Sequence, residues 1–259
     1  MTRTMGSRKL LGLAAVLVAA MVVVSPCALT AEPLNPAAAI RAKLDKSQYK
    51  DVQVAVDVNG IATLTGTVSL YEFKADADRT VHQVKSVMGV RNEIEVAGPS
   101  VPDSQLQQSL AEKLAYDRVG YGNVFDAITV QVQNGVVTLG GHAHDYPNRD
   151  SAVGLVSTTP GVKDVVDNIS VDPLSPMDWQ IRIAVARAIY SFPSLNRYAL
   201  NPAMPIRISV ENGNVALYGM VDSEADKDAA FLRANGVPGV FGVKNYLQVA
   251  NQPGEKSQK

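Results

Sequence analysis

The residues with the clearest capacity for chemistry are two histidines and a carboxylate. His142 and His144 stand two apart in a strand-like segment, which puts both on one side, and Asp145 follows directly. Two imidazoles and a carboxylate are donors that zinc accepts. A third certain ligand is not identifiable, and the plainer reading is an exposed strand end running into the Pro147-Asn148 turn. His142 and His144 are therefore weak metal candidates, and no metal or cofactor is expected. Asp222, Glu224, Asp226 and Asp228 form an acidic run. It suits either a calcium ion or a solvated helix start, where the positive end of the helix favours carboxylates; the second reading is preferred. The sequence holds neither a G-x-S-x-G elbow nor a G-x-x-x-x-G-K-[ST] phosphate loop. No nucleophile, base and acid form a set, and the chain reads as a non-enzyme.

A binding role has better material. Residues 175–192 read SPMDWQIRIAVARAIYSF. Ile181, Val185 and Ile189 recur every four residues, as a core-facing helix stripe does. Trp179, Ile183 and Tyr190 form a second apolar side with Arg182 and Arg187 nearby. A helix apolar on two sides needs two partners. Tryptophan, tyrosine and arginine suit a lipid headgroup region and equally a protein interface. Packing between parts of this chain is the competing explanation. Trp179, Arg182, Ile183, Arg187 and Tyr190 are the candidate lipid- or partner-binding residues.

The elements that position these residues come in three copies. Asn59-Gly60, Asn134-Gly135 and Asn212-Gly213 mark equivalent points. Each is followed at fixed spacing by Leu64, Leu139 or Leu217, then Gly66, Gly141 or Gly219, then Val87, Val162 or Val240. Identical spacing in triplicate predicts a repeated structural unit. Each unit opens with a helix, carrying Ile40 and Leu44, then Leu106, Leu110 and Leu114, then the Ile181 stripe. In the third, Ser175 is a candidate N-cap, Pro176 suits the first helical position and Asp178 complements the positive helix end. A hairpin follows, with Asn-Gly supplying the positive φ angles of a tight turn. Val52, Val54, Val56 and Val58 are out of phase by one with the other copies, so a bulge or longer loop is predicted around Asp57–Asn59. A second helix carries small or apolar residues such as Ala77, Ala152 and Ala230, and Gly239-Val240 is expected to end its third copy. The closing strand places Asn92, Asp167 and Asn245 in one slot, suited to bonding nearby backbone. The fold class is α+β: three tandem small two-layer α/β sandwiches, each α-β-β-α-β with a three-stranded mixed sheet and two helices on one face. The domains span 35–98, 101–173 and 175–251, with a tail at 252–259 expected to be disordered. Long aromatic loops, YDRVGYGNVFDA and SFPSLNRYALNPAMP, precede the first strands of copies two and three; they read as lids over small cores rather than ligand edges.

The element order, the pattern V-x-V-x-[NG]-x-V-x-L-x-G and the closing G-V-x-x-V-x-N-x-L-x-V resemble the BON (bacterial OsmY and nodulation) domain family. The resemblance covers nearly the whole chain after the leader. Copy one departs from it, with Ser86 for the glycine before Val87 and a shifted first strand. The resemblance implies small α/β sandwiches, an exported bacterial location, and a part in phospholipid binding or envelope maintenance under osmotic or other stress.

The N-terminus agrees with export. Arg3, Arg8 and Lys9 precede an uncharged stretch from Leu10 to Val24, with Ser25-Pro26 and small residues after it. Residues 1–31 read as a signal peptide. Cys27, the single cysteine, leaves lipidation open as an alternative, with Pro26 an unusual neighbour for it, and excludes an intramolecular disulfide. Without residues 1–31, 21 basic and 25 acidic residues remain, a balance poor for nucleic-acid binding, which rests on phosphate neutralisation. The expected location is the periplasm or outside the cell, with a membrane-anchored lipoprotein as the alternative. The expected partners are a phospholipid surface or envelope proteins, with a protein scaffold as the second reading and a metal or small-ligand binder a distant third.

Overall fold

The computed structural model describes residues 35–117, 123–173, 175–202 and 204–250. The leader, Cys27, Tyr121 and the tail lie outside them. The first domain runs α1 (Pro36–Lys43), β1 (Val52–Val56), β2 (Ile61–Val68), α2 (Tyr71–His82) and β3 (Gly89–Val96). The second runs α3 (Asp103–Tyr116), β4 (Ala127–Gln133), β5 (Val136–Ala143), α4 (Tyr146–Ser157), β6 (Asp164–Asp167) and β7 (Ser170–Val171). The third runs α5 (Pro176–Tyr190), a short α6 (Arg197–Leu200), β8 (Arg207–Glu211), β9 (Asn214–Val221), α7 (Glu224–Asn235) and β10 (Gly242–Val249). The α-β-β-α-β order thus recurs three times.

Each domain has its own sheet, with the second strand central, antiparallel to the first and parallel to the last. The second sheet departs from expectation. Its closing strand is split into β6 and β7, both on β5, so this sheet has four strands. Register is shared across copies: Val54 opposes Leu64, Val130 opposes Leu139, and Ile208 opposes Leu217. Each core lies between one sheet face and its helices. Ile40, Leu64, Val81 and Ile94 fill the first, Leu110, Leu139 and Val156 the second, and Val185, Ile189, Ile208 and Leu217 the third.

The phase shift of the first copy is resolved by one additional loop residue. In copies two and three the Asn-Gly pair is a two-residue turn with both residues at positive φ, 55° and 78° at Asn134-Gly135 and 50° and 75° at Asn212-Gly213. In the first copy Gly60 has positive φ and Asn59 does not, so Asn59 does not play the turn role expected of it. The loop runs from Asp57 to Ile61, and the Asp57 carboxylate accepts from the N–H groups of Asn59 and Ile61, each at 2.9 Å. The extra residue returns Val54 to the register of Val130 and Ile208. The C-terminus of α7 also lies earlier than expected: the helix stops at Asn235, and Gly239 sits in the following turn with φ of 89°.

The other two hairpin turns are held by a carboxylate from the first helix of their domain. Asp178 Oδ2 accepts from Asn212 N at 3.0 Å and Oδ1 from Gly213 N at 2.8 Å. Asp103 does the same for Asn134 and Gly135 at 2.6 and 2.9 Å. Asp178 therefore does more than complement the helix end. Asp178→Ala leaves the buried Gly213 N–H without this acceptor, and is expected to cost about 1–3 kcal/mol. Denaturant unfolding of the full chain measures it, and an unchanged midpoint would show that the clasp contributes nothing.

The polar slot of the closing strand behaves as expected. Asn92 and Asn245 donate to the Lys74 and Lys227 carbonyls at 2.9 and 3.0 Å and accept from Ile94 and Leu247 N. Asp167 accepts from Ile169 N at 3.0 Å and pairs with Arg149 at 2.6 Å.

Candidate binding surface

The candidate residues converge where α5 meets the second domain. The core stripe of α5 is as expected, with Ile181, Val185 and Ile189 buried. Its second apolar side is partnered within the chain. Val124 and Phe125, from the loop before β4, pack against the third domain's core beside Ala184, Ala186 and Tyr190. Trp179 meets Phe125 edge-on at 5.4 Å and stacks on His144 at 5.8 Å. Half of the indole stays open, with 44% of the residue exposed. The Tyr190 hydroxyl donates to the Ile206 carbonyl at 2.5 Å, and burial pushes its pKa well above the ordinary phenol value. Ile183 is partly buried, and Arg187 points to solvent.

Arg182 does not reach the surface: it is 2% exposed. Its guanidinium donates to Asp172 Oδ2 and to the Val210 carbonyl, each at 2.7 Å. Ser209 Oγ donates to the same Asp172 oxygen at 2.9 Å. Arg182 of the third domain and Asp172 of the second thus form a buried ion pair. A headgroup-binding role for this arginine is corrected to a joint between domains.

The two histidines are held apart by different carboxylates. His142 Nδ1 lies 3.4 Å from Asp172, and His144 Nδ1 lies 2.9 Å from Asp126. His144 N also donates to Asp126 at 3.0 Å, while Asp145 accepts from Asn148 N at 2.8 Å to cap α4. Among the described residues, no three ligating side chains gather into a metal site. The acidic run near α7 is not all solvated: Asp226 is buried, accepting from Ser223, Arg197 and Tyr198 at 2.8, 2.7 and 3.1 Å. Tyr198 and Phe192 cover the third core, as lids would.

The outward side of α5 carries Met177, Trp179 and Arg187. A cleft of about 550 Å³ opens beside it, lined by His144, Asp145, Ser175, Pro176, Trp179 and Arg182. Three large apolar residues stand exposed at one end of their sheets: Val58 in the first hairpin loop, Met88 just before β3, and Phe241 just before β10. The last two rest on turn glycines Gly60 and Gly213. Spacing did not reveal them, because this slot holds Met88, Lys163 and Phe241 in turn. No described helix is long and apolar enough to cross a membrane.

The BON domain family model matches residues 36–98, 102–173 and 194–251. The third match begins after α5, although α5 packs into the third core. No curated protein sequence matches the chain. Among solved structures, the C-terminal domain of CdsD, the structural protein of the type III secretion system of Chlamydia trachomatis, is 17% identical, with 81% of this chain and 94% of that chain covered at a TM-score of 0.25. The periplasmic domain of the type III secretion inner membrane protein PrgH from S. typhimurium is 8% identical, with 81% and 99% covered at a TM-score of 0.21. TM-scores of this size show no shared overall arrangement.

Proposed function

The chain belongs to the BON domain family, in three tandem copies, and from that premise we propose that it is an exported, non-enzymatic binding protein of the bacterial envelope. Its docking side is the outer side of α5, and its partner is an anionic phospholipid surface, whose integrity it supports. The observations that carry this reading are the exposure of Met177, at 69%, of Trp179, at 44%, and of Arg187 at separate points along α5. Apolar and aromatic side chains together with a cation are what an interfacial helix presents to headgroups.

A second reading, a protein scaffold, is favoured by two observations. Arg182 is withdrawn from the surface, leaving one arginine on that side, and the exposed Met88 and Phe241 are isolated anchors of the kind that protein partners bury.

Co-sedimentation with phosphatidylglycerol and phosphatidylcholine vesicles tests the first reading. The full chain is expected to pellet with the former, and Met177→Asp with Arg187→Glu to reduce pelleting at least fivefold without changing the unfolding midpoint. Absence of pelleting, or pelleting indifferent to both changes, would leave the scaffold reading in its place.

A further inference from the structure

A different cleft, on the helix-free side of the third sheet, has the makings of a small-ligand site. It measures about 660 Å³ and lies between β4 and the third domain, within the ~300–1,000 Å³ usual for small-molecule pockets. Its lining is mostly apolar: Ile128 from β4, and Met220, Tyr218 and Tyr246 from β9 and β10. Tyr218 and Tyr246 stack at 5.2 Å, with His142 continuing the column at 5.9 Å, and Tyr246 leaves its outer side open.

One cation lines this cleft. Arg207 stands on β8 directly opposite Tyr218. It makes no hydrogen bond or ion pair with any described residue. Burial lowers its pKa from the ordinary arginine value, with Tyr190 and Asp126 acting against the shift. Asp126 and Glu112 border a smaller pocket of about 200 Å³ on its other side. Asp126 is engaged by His144, as described above, and does not close an ion pair with Arg207. A mostly buried guanidinium with no hydrogen-bond or ion-pair partner among the described residues, its charge offset only in part by the Asp126 field, keeps a desolvation cost that a bound anion would lower.

We propose that this cleft binds one single-chain anionic amphiphile, a fatty-acid carboxylate, with the acyl chain along Ile128, Met220 and Tyr246 and the carboxylate on Arg207. The apolar lining takes the chain and the lone cation fixes its direction. Headgroup binding at a membrane would use the exposed side of α5 instead, so the two proposals stand or fall separately.

Calorimetric titration of the full chain with decanoate, below its micelle concentration, tests the site. Decanoate is expected to bind one to one, and decanol roughly tenfold to a hundredfold more weakly, the range of a charge-assisted hydrogen bond. Each methylene removed from decanoate is expected to weaken binding about fourfold. Arg207→Gln is expected to erase the preference for decanoate while leaving decanol binding unchanged. Met220→Asp, which places a carboxylate in the cleft, is expected to abolish both, with vesicle pelleting and the unfolding midpoint unaltered. Equal binding of acid and alcohol, a preference that survives Arg207→Gln, or no saturable binding overturns the proposal.

Discussion

Gly141→Ala is expected to unfold the second domain. Gly141 lies in the middle of β5 with φ of 84°, a conformation that side chains rarely adopt. A Cβ there would overlap the carbonyl oxygen of Ala127 on the neighbouring strand. Relief requires either moving β4 away from β5 or flipping the residue, and both break the ladder that aligns Val130 with Leu139. The strain of such a residue is on the order of 1–3 kcal/mol, and adding the lost strand contact brings the expected cost to about 3–5 kcal/mol. Small domains hold stability of similar size. Denaturant unfolding should show the second domain's transition lost or displaced, with hydrogen exchange accelerated along β5. Gly154→Ala is the matched control. Gly154 lies within α4 with open space where the Cβ would stand, and the change is expected to stabilise by about 0.5–1 kcal/mol. A native midpoint for Gly141→Ala would contradict the steric argument. Gly66 and Gly219, at φ of 108° and 127°, predict the same outcome in their own domains.

Arg182→Met is the second large effect. Among the described residues it leaves Asp172, itself buried, with the side chains of Ser209 and His142, and takes a donor from the Val210 carbonyl. Removing one partner of a buried ion pair costs about 3–5 kcal/mol, because the remaining charge stays in a poor medium. The double change Arg182→Met with Asp172→Leu removes both charges and is expected to recover most of that loss. Equilibrium unfolding of the two single variants and the double variant measures the coupling. Additive losses would show that Arg182 and Asp172 do not depend on each other.

The repeated frame could be read from the residues because it is local. A helix stripe such as Leu106, Leu110 and Leu114, a positive-φ pair such as Asn134-Gly135, and alternation such as Ile206, Ile208 and Val210 each follow from backbone geometry over a few residues. Even the first copy's extra loop residue showed in the phase of its valines. What could not be read was pairing between distant positions. Asp178 holds a turn 34 residues ahead, Arg182 meets a carboxylate of the preceding domain, and Trp179 finds His144 across a domain boundary. Nothing periodic marks such contacts. The same limit explains why Arg182 and Arg187, five apart on one helix, looked alike and differ entirely in burial. Tyr218 and Tyr246 escaped notice because reading strands for their core-facing positions passes over the opposite face.

The Arg182–Asp172 pair also bears on how such a chain could be rearranged genetically. The first two repeats are joined by the packing of Tyr71 onto the second core and by a loose Lys74–Asp164 contact at 3.9 Å. Recombination there would strand no inner charge. A break after residue 173 would instead abandon an acid in the severed half, so the last two repeats should be inherited, deleted or transplanted together.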